Sequence, residues 1–207
     1  FRNTRPGHFR QPQESPMTSP RATWFCIDIE ANGPVPGLYD MVSLGATVVF
    51  AGPDGSPTLG RDFYMELKPQ APRFDARAAA IHGLDQARLA REGLTRAAAA
   101  TALENWVQGE TRPGTEACFV GHNAPFDWSH VAYLYAELER PNPFGYKALD
   151  TKALAAGVLD LHWLDTGKET LFARLGLPPE DTSQKHRADY DARVQAELLR
   201  ALLTHRT

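Results

Sequence analysis

The order of strand-like and helix-like segments predicts an α/β fold: a mixed five-stranded sheet with helices on both of its faces. Three strand-like segments come first, at residues 23–30, 40–50 and 59–67, and the last two flank a turn rich in Gly and Pro at 51–57. Apolar segments separated by such turns are typical of an antiparallel meander. Helical and strand patterns alternate after the meander, which gives the order β-β-β-α-β-α-β-α.

Composition and spacing predict the elements that follow the meander. Ala-rich segments at residues 76–80 and 95–107 predict helices, and short apolar segments at 118–120 and 146–149 predict strands, each followed by a helix. A further short helix is predicted at 171–175, ahead of a loop whose two prolines would end it. The second half of the chain would therefore supply the last two strands of the sheet.

Length and composition indicate one folded domain. With 207 residues and 43% hydrophobic content, the chain can form one substantial core. Residues 1–22 have no hydrophobic period, so we expect a disordered or loosely attached arm, followed by the folded domain at 23–207. Cys26 and Cys118 fall in predicted strands and are too few for a structural zinc site. Because no apolar stretch is long enough for a signal peptide or a membrane span, we expect a cytoplasmic protein without a membrane partner.

Two acidic residues lie at the end of the first predicted strand. Strand side chains alternate between faces, so Asp28 and Glu30 point to one side while Phe25, Ile27 and Ile29 pack on the other. Adjacent like charges are unfavourable unless a positive charge lies between them, and Mg²⁺ prefers carboxylate and water oxygens. The pair therefore suggests a metal site, although a solvent-exposed strand end would explain this motif equally well.

A third acid, Asp127, opens a predicted helix that runs to about Arg140. Asn123 can cap this helix, and Pro125 is favoured in its first turn. Asp127 shares a face with three apolar residues at helical spacing: Val131, Leu134 and Leu138. A first-turn Asp also complements the helix dipole without any metal. Its place on the apolar stripe favours an inward-facing carboxylate.

A fourth acid lies at the start of the C-terminal helix, which runs to about Leu203. Asp191 shares a face with Val194, Leu198 and Leu202, so we assign it to the site rather than Asp189. Asp189 is predicted to form a solvated pair with Arg193, four residues later. His186 precedes the helix and is a candidate base, although a lone His is more often structural than catalytic.

These residues match three motifs, and the chain thereby resembles the DEDD superfamily of 3′-5′ exonucleases in its histidine (DEDDh) subtype. This DnaQ-like group includes ribonuclease T and oligoribonuclease. Asp28-Ile29-Glu30 is similar to the first motif, and His122-Asn123-Ala124-Pro125-Phe126-Asp127 is similar to the second. His186 followed five residues later by Asp191 is similar to the third, and Arg187 stands where the tyrosine subtype would need Tyr.

The resemblance implies a ribonuclease-H-like fold and a two-metal mechanism. Two Mg²⁺ or Mn²⁺ ions, about 4 Å apart, would clamp the scissile phosphate. Asp28 would bridge both ions, Glu30 and Asp191 would hold the ion that activates water, and Asp127 would hold the second ion. His186 would take the proton from the attacking water. The products would be nucleoside 5′-monophosphates released from a 3′ end.

The resemblance also implies residues near the substrate. Many relatives have one or two Thr followed by Gly after the first motif, whereas this chain has Ala31 and Asn32 before Gly33. The loop Ile81-His82-Gly83-Leu84 resembles another segment of the family. The candidate substrate-binding residues are Ala31, Asn32, His82, His122, Asn123 and Phe126. Several relatives pair as homodimers, so a homodimer is expected as one possible arrangement of this chain.

The overall charge limits the choice of substrate. The chain has a net charge of −3, and two divalent ions would bring it to +1. No long basic patch is visible, which favours short or single-stranded 3′ ends over extended duplex. The residues do not distinguish RNA from DNA. Two other functions remain open: a catalytically silent interaction module with an exonuclease fold, and a metal-dependent phosphatase or nucleotidase acting on small molecules.

Overall fold

The chain forms five strands and seven α-helices within residues 21–205, the part that this computed structural model describes. The strands are β1 (Ala22–Ala31), β2 (Met41–Ala51), β3 (Pro57–Glu66), β4 (Glu116–Gly121) and β5 (Ala148–Asp150). The helices are α1 (Ala76–His82), α2 (Gln86–Glu92), α3 (Arg96–Glu110), α4 (Ala124–Glu137), α5 (Thr151–Leu159), α6 (Lys168–Leu175) and α7 (Ala188–Thr204). Nearly all of the arm predicted at residues 1–22 lies outside the described residues.

The strands form one mixed sheet in the order β3-β2-β1-β4-β5. The first three strands are antiparallel neighbours, and β1–β4 and β4–β5 are parallel. The predicted fold class is confirmed, because the sheet has five strands and mixed direction. The central strand, β1, carries Asp28 and Glu30, and its pairing with β4 extends only to Cys26↔Val120. The acidic end of β1 therefore projects beyond β4.

Helices cover both faces of the sheet. On one face, Phe25, Ile27 and Ile29 belong to a buried cluster that includes residues of α3 and α4. On the other face, Cys26 packs with Leu199 of α7. Since strand side chains alternate, Asp28 and Glu30 follow Cys26 onto the face that α7 covers. The apolar half of β1 thus anchors the sheet, and its polar half faces the last helix.

Several element boundaries differ from the sequence prediction. The short helix α2 was not predicted, because its seven residues are too few to display a helical period. The side chain of Asp85 caps this helix by accepting hydrogen bonds from the backbone N–H groups of Ala87 and Arg88. Helix α6 begins three residues before the predicted start at residue 171, and β5 has only three residues. Within residues 21–205, no helix combines the length and the apolar character needed to cross a bilayer.

Candidate active site

Three carboxylates meet where the end of β1 faces the start of α7. One oxygen from each of Asp28, Glu30 and Asp191 lies within 4.8 Å of the others. Asp191 is in the first turn of α7 and is only 7% exposed, while Glu30 is 9% exposed. Asp28, Glu30 and Asp191 are hereafter the carboxylate cluster. Three hard oxygen ligands at this spacing fit a divalent cation such as Mg²⁺ or Mn²⁺.

Asp127 lies beside the carboxylate cluster but is not part of its compact group. It is in the first turn of α4 and 4% exposed, and its Oδ1 accepts a hydrogen bond of 3.1 Å from the Ile29 backbone N–H. Asp127 is therefore fixed against the projecting end of β1. Asn123 precedes α4 in a left-handed conformation with φ 74°, and its side chain makes no capping bond. Asn123 thus occupies the predicted N-cap position without a side-chain cap, and its backbone N–H donates to Asp150 Oδ1.

Burial and neighbouring negative charges raise the pKa values of Asp28, Glu30 and Asp127. Burial, followed by the charge of Asp127, raises the pKa of Asp28 well above its usual value. Burial, followed by the charges of Asp28 and Asp191, raises the pKa of Glu30 to about 9. Burial also raises the pKa of Asp127 to about 7, against the opposing effect of the Ile29 N–H. A bound divalent cation would relieve this repulsion, so the electrostatics also fit a metal site.

Gln195 joins α7 to β1 and was not predicted from the sequence. Its Nε2 donates a hydrogen bond of 2.7 Å to Asp28 Oδ1, and the side chain is fully buried. The bond fixes the orientation of the Asp28 carboxylate. Gln195 follows Asp191 by four residues, so the two share a helix face. A polar residue on that apolar stripe is the feature of the sequence that could have indicated a role for Gln195 in the site.

Lys168 is a second site residue that sequence reasoning missed. Its ammonium lies 2.8 Å from Asp191 Oδ1. Burial opposes the charged form, but the carboxylates of Asp28 and Asp191 outweigh it, so the pKa of Lys168 is raised. Lys168 begins α6, outside all three motifs, and its proximity to the carboxylate cluster arises only from tertiary packing.

His186 lies immediately before α7. Its backbone N–H donates a hydrogen bond of 2.8 Å to Asp191 Oδ2, and its side chain is exposed. The residue has a left-handed conformation with φ 64°, which is uncommon outside glycine. This hydrogen bond places the backbone of His186, from which its side chain extends, next to the carboxylate cluster.

The predicted pair between Asp189 and Arg193 is wrong. Asp189 contacts Arg187 at 2.9 Å, and Arg193 reaches across to Asp62 on β3 at 3.3 Å. Spacing along a helix permits the predicted pair, but a neighbouring strand offers Arg193 a different carboxylate. Arg193 thereby adds a contact between α7 and the sheet.

The candidate substrate residues near β1 are largely buried. Asn32 is 1% exposed and His82 is 8% exposed, and Asn32 Oδ1 lies 3.2 Å from His82 Nε2. Asn32 also donates to Gln86 Oε1 at 2.8 Å. These bonds connect the turn after β1 to the α1–α2 segment. Ala31 is also buried, at 8% exposure, so these side chains support the turn beside the carboxylate cluster.

The candidates in the second motif have different environments. His122 Nδ1 lies 2.9 Å from the Thr151 hydroxyl, and burial, followed by the charges of nearby lysines, lowers the pKa of His122 to about 3. The His122 ring is therefore neutral near pH 7. Phe126 packs edge-on against His130, with ring centroids 5.1 Å apart. Asn123 is exposed.

Comparison with known proteins agrees with this geometry. The exonuclease family model RNase_T matches residues 25–199, a span that includes the carboxylate cluster, Asp127 and His186. The chain belongs to this exonuclease family. It is 34% identical over 186 residues to a protein named 3′-5′ DNA exonuclease Cap18 from Escherichia coli, and the match covers 90% of this chain and 94% of that protein. The predicted 3′-5′ exonuclease of the DEDDh type is confirmed.

Solved structures show the same fold at low sequence identity. The nuclease domain of 3′hExo, described as a DEDDh family member bound to rAMP, aligns with a TM-score of 0.69 and 9% identity. That alignment covers 88% of this chain and 90% of the other. E. coli exonuclease I, in a zinc-bound complex with single-stranded DNA, aligns with a TM-score of 0.66 and 19% identity, covering 90% of this chain and 41% of the other. Both likenesses support the ribonuclease-H-like architecture.

Proposed function

We propose that this exonuclease uses divalent metal ions to remove nucleoside 5′-monophosphates one at a time from the 3′ end of single-stranded or short DNA. The observation that carries the proposal is the convergence of Asp28, Glu30 and Asp191, whose oxygens lie within 4.8 Å of one another. Three buried acids carry more negative charge than the single ammonium of Lys168 can balance, and a divalent cation would compensate the excess.

The carboxylates are suited to hold two ions. Mg²⁺ or Mn²⁺, when bound, neutralises charge on the scissile phosphate and lowers the pKa of the attacking water. Asp28 belongs to the carboxylate cluster, and the charge of Asp127 contributes to its raised pKa. Asp28 would therefore help to hold both ions. Glu30 and Asp191 would hold the ion on the attacking side. Asp127, outside the compact group, would hold the ion on the leaving-group side.

His186 is the proposed general base. Its backbone N–H donates to Asp191 Oδ2 and its side chain is exposed, so a ring turned towards the carboxylate cluster would lie beside a water bound there. An imidazole nitrogen can accept the proton of that water. His122 is unsuited to this role, because burial and neighbouring lysines lower its pKa to about 3 and Thr151 engages its Nδ1.

The choice of DNA rests on the curated relative. A protein 34% identical over nearly its whole length is named a DNA exonuclease, and identity at that level favours a shared polymer class. The exonuclease I structure in complex with single-stranded DNA is consistent with a single-stranded end. Another structural neighbour recognises a histone mRNA stem-loop, at 12% identity, so RNA must be included in the test.

Digestion of matched oligonucleotides tests the proposal. Single-stranded DNA and RNA of one sequence, each labelled at the 5′ end, would be incubated with Mg²⁺ or with a chelator. We expect a ladder of shortened labelled DNA and release of nucleoside 5′-monophosphates, with RNA cleaved more slowly and no cleavage with chelator. Asp28→Asn should be inactive, while Asp54→Asn, in an exposed turn, should cleave normally. Free inorganic phosphate from mononucleotides, or internal cuts, would contradict the proposal.

A further inference from the structure

Lys168 lies between two carboxylates that belong to different parts of the chain. Its Nζ is 2.8 Å from Asp191 Oδ1 and 3.9 Å from Glu180 Oε1. Asp191 belongs to the carboxylate cluster, whereas Glu180 lies in the loop between α6 and α7. The ammonium is therefore hydrogen-bonded to Asp191, a proposed metal ligand. A shift of about 1 Å would bring it within hydrogen-bond distance of Glu180.

Both oxygens of Asp191 are already engaged by the protein. Oδ1 accepts from Lys168, and Oδ2 accepts from the backbone N–H of His186. A divalent cation that coordinates Oδ1 would meet the positive charge of Lys168 at the same atom. Two cations at one carboxylate oxygen repel each other, so the lysine and the metal compete for Asp191.

Glu180 offers the lysine an alternative partner. Its side chain is only 6% exposed, and its Oε1 is buried without a hydrogen-bond partner among the described residues. A buried carboxylate oxygen without a hydrogen-bond donor is unfavourable, so a donor that moves towards it stabilises the protein. The other oxygen, Oε2, lies 3.4 Å from Lys185, so Oε1 is the oxygen available to Lys168.

We propose that Lys168 is a resident counter-ion of the carboxylate cluster and that divalent metal binding transfers its ammonium from Asp191 to Glu180. This inference rests on the proposed function, because it requires that the cluster bind metal. Lys168 is then a positioning residue: it limits repulsion among the acids before the metal binds, and it moves aside on its flexible stem when Asp191 is coordinated.

The proposal predicts opposite effects for the two partners. Lys168→Met removes the competitor, so Mn²⁺ should bind roughly tenfold more tightly, a typical size for the coupling between two binding events. Glu180→Gln removes the charge that receives the ammonium, so Lys168 should stay on Asp191 and Mn²⁺ should bind roughly tenfold more weakly. In the double variant, Glu180→Gln should have no further effect, because the lysine that it positions is gone.

Calorimetric titration with Mn²⁺, without nucleic acid and at one pH and ionic strength, measures these affinities directly. Glu169→Gln is the matched control: it removes one negative charge next to Lys168 in the sequence, but Glu169 is exposed, and its effect on affinity should be small. Circular dichroism would verify that each variant is folded. If Lys168→Met does not fold, the comparison of Glu180→Gln with Glu169→Gln still tests the transfer.

The outcomes separate this inference from the proposed function. Unchanged or weaker Mn²⁺ binding in Lys168→Met would overturn the competition. Equal affinities for Glu180→Gln and Glu169→Gln, or an effect of Glu180→Gln that persists without Lys168, would overturn the transfer. Failure of the wild-type chain to bind Mn²⁺ at all would instead contradict the metal-dependent mechanism on which the inference rests.

Discussion

Gly45 of β2 lies so close to Ala188, at the start of α7, that a Cβ built on Gly45 would be 2.1 Å from the Ala188 carbonyl oxygen. Gly45 is also the strand partner of Asp28. The missing side chain therefore lets the first turn of α7, which carries Asp191, approach the sheet directly beside Asp28. This close backbone approach is what allows acids from the two ends of the domain to share one cluster.

Replacement of Gly45 by Ala should damage both stability and activity. The new methyl group would meet backbone atoms, which cannot move independently, so we expect a loss of about 3 kcal/mol in the free energy of unfolding. Displacement of Asp191 should lower the cleavage rate roughly a hundredfold. Chemical denaturation and 3′-end digestion measure the two effects.

Gly157 provides the control for this substitution. It lies within α5, and a Cβ there would meet nothing within 4 Å. Gly157→Ala should raise stability by about 0.5 to 1 kcal/mol and leave activity unchanged. Equal stability of the two variants would show that α7 leaves room for a side chain on Gly45 of β2.

Removal of one charge should have opposite effects on stability at Asp28 and Asp191. Asp28→Asn relieves charge repulsion and can still accept from Gln195, so the metal-free protein should gain about 1 kcal/mol. Asp191→Asn weakens the pair with Lys168 and should cost about 2 kcal/mol. Both variants should lose cleavage. Thermal denaturation in chelator separates them, and a stabilised Asp191→Asn protein would contradict the account.

The stability of the metal-free protein should fall as the pH rises. The folded-state pKa of Glu30, about 9, is above the usual glutamate value of 4.5, and that of Asp127, about 7, is above the usual aspartate value of 3.8. A raised carboxyl pKa means that the folded state holds the proton more tightly than the unfolded state. The stability that these two groups contribute is complete below about pH 4, and it is lost progressively as the pH rises to about 9.

Metal ions should reverse this trend, because they bind the ionised carboxylates. The increase in melting temperature caused by Mg²⁺ should therefore grow as the pH rises from about 5 to about 8. Melting curves with Mg²⁺ and with chelator, recorded across that range, provide the measurement. A chelated protein whose melting temperature rises throughout the range would be inconsistent with burial of the cluster.

His186→Ala should slow cleavage by roughly a hundredfold or more, within the usual range for a general base. Mn²⁺ affinity should change little, because only the backbone N–H of His186 contacts Asp191, and Ala retains that group. Parallel rate and calorimetric measurements test both statements. A matching loss of Mn²⁺ binding would make His186 a metal ligand instead.

The sequence predicted the parts of the fold that local patterns determine. Alternation along β1 placed Asp28 and Glu30 on one face, and helical spacing placed Asp191 on the buried face of α7, which agrees with the geometry observed. Periodicity suffices here, because each residue is oriented by its own strand or helix. The three motif spacings then indicated the family, which the comparisons confirmed.

The remaining site residues depend on contacts between distant segments. Lys168 reaches Asp191 only because α6 packs beside α7, and no spacing in the sequence signals that contact. Glu180 lies in a loop without periodicity. Arg193 pairs with Asp62 on β3 instead of Asp189 because tertiary packing brings the strand within its reach. Tertiary packing determines these partners, so local patterns could not predict them.

Crystals soaked in Mn²⁺ and measured at a wavelength where manganese scatters anomalously would show whether the four carboxylates hold metal ions. We expect two anomalous peaks about 4 Å apart, one among Asp28, Glu30 and Asp191 and the other between Asp28 and Asp127. Full 3′-5′ cleavage by a protein whose Mn²⁺ peaks lie away from these four carboxylates would contradict it.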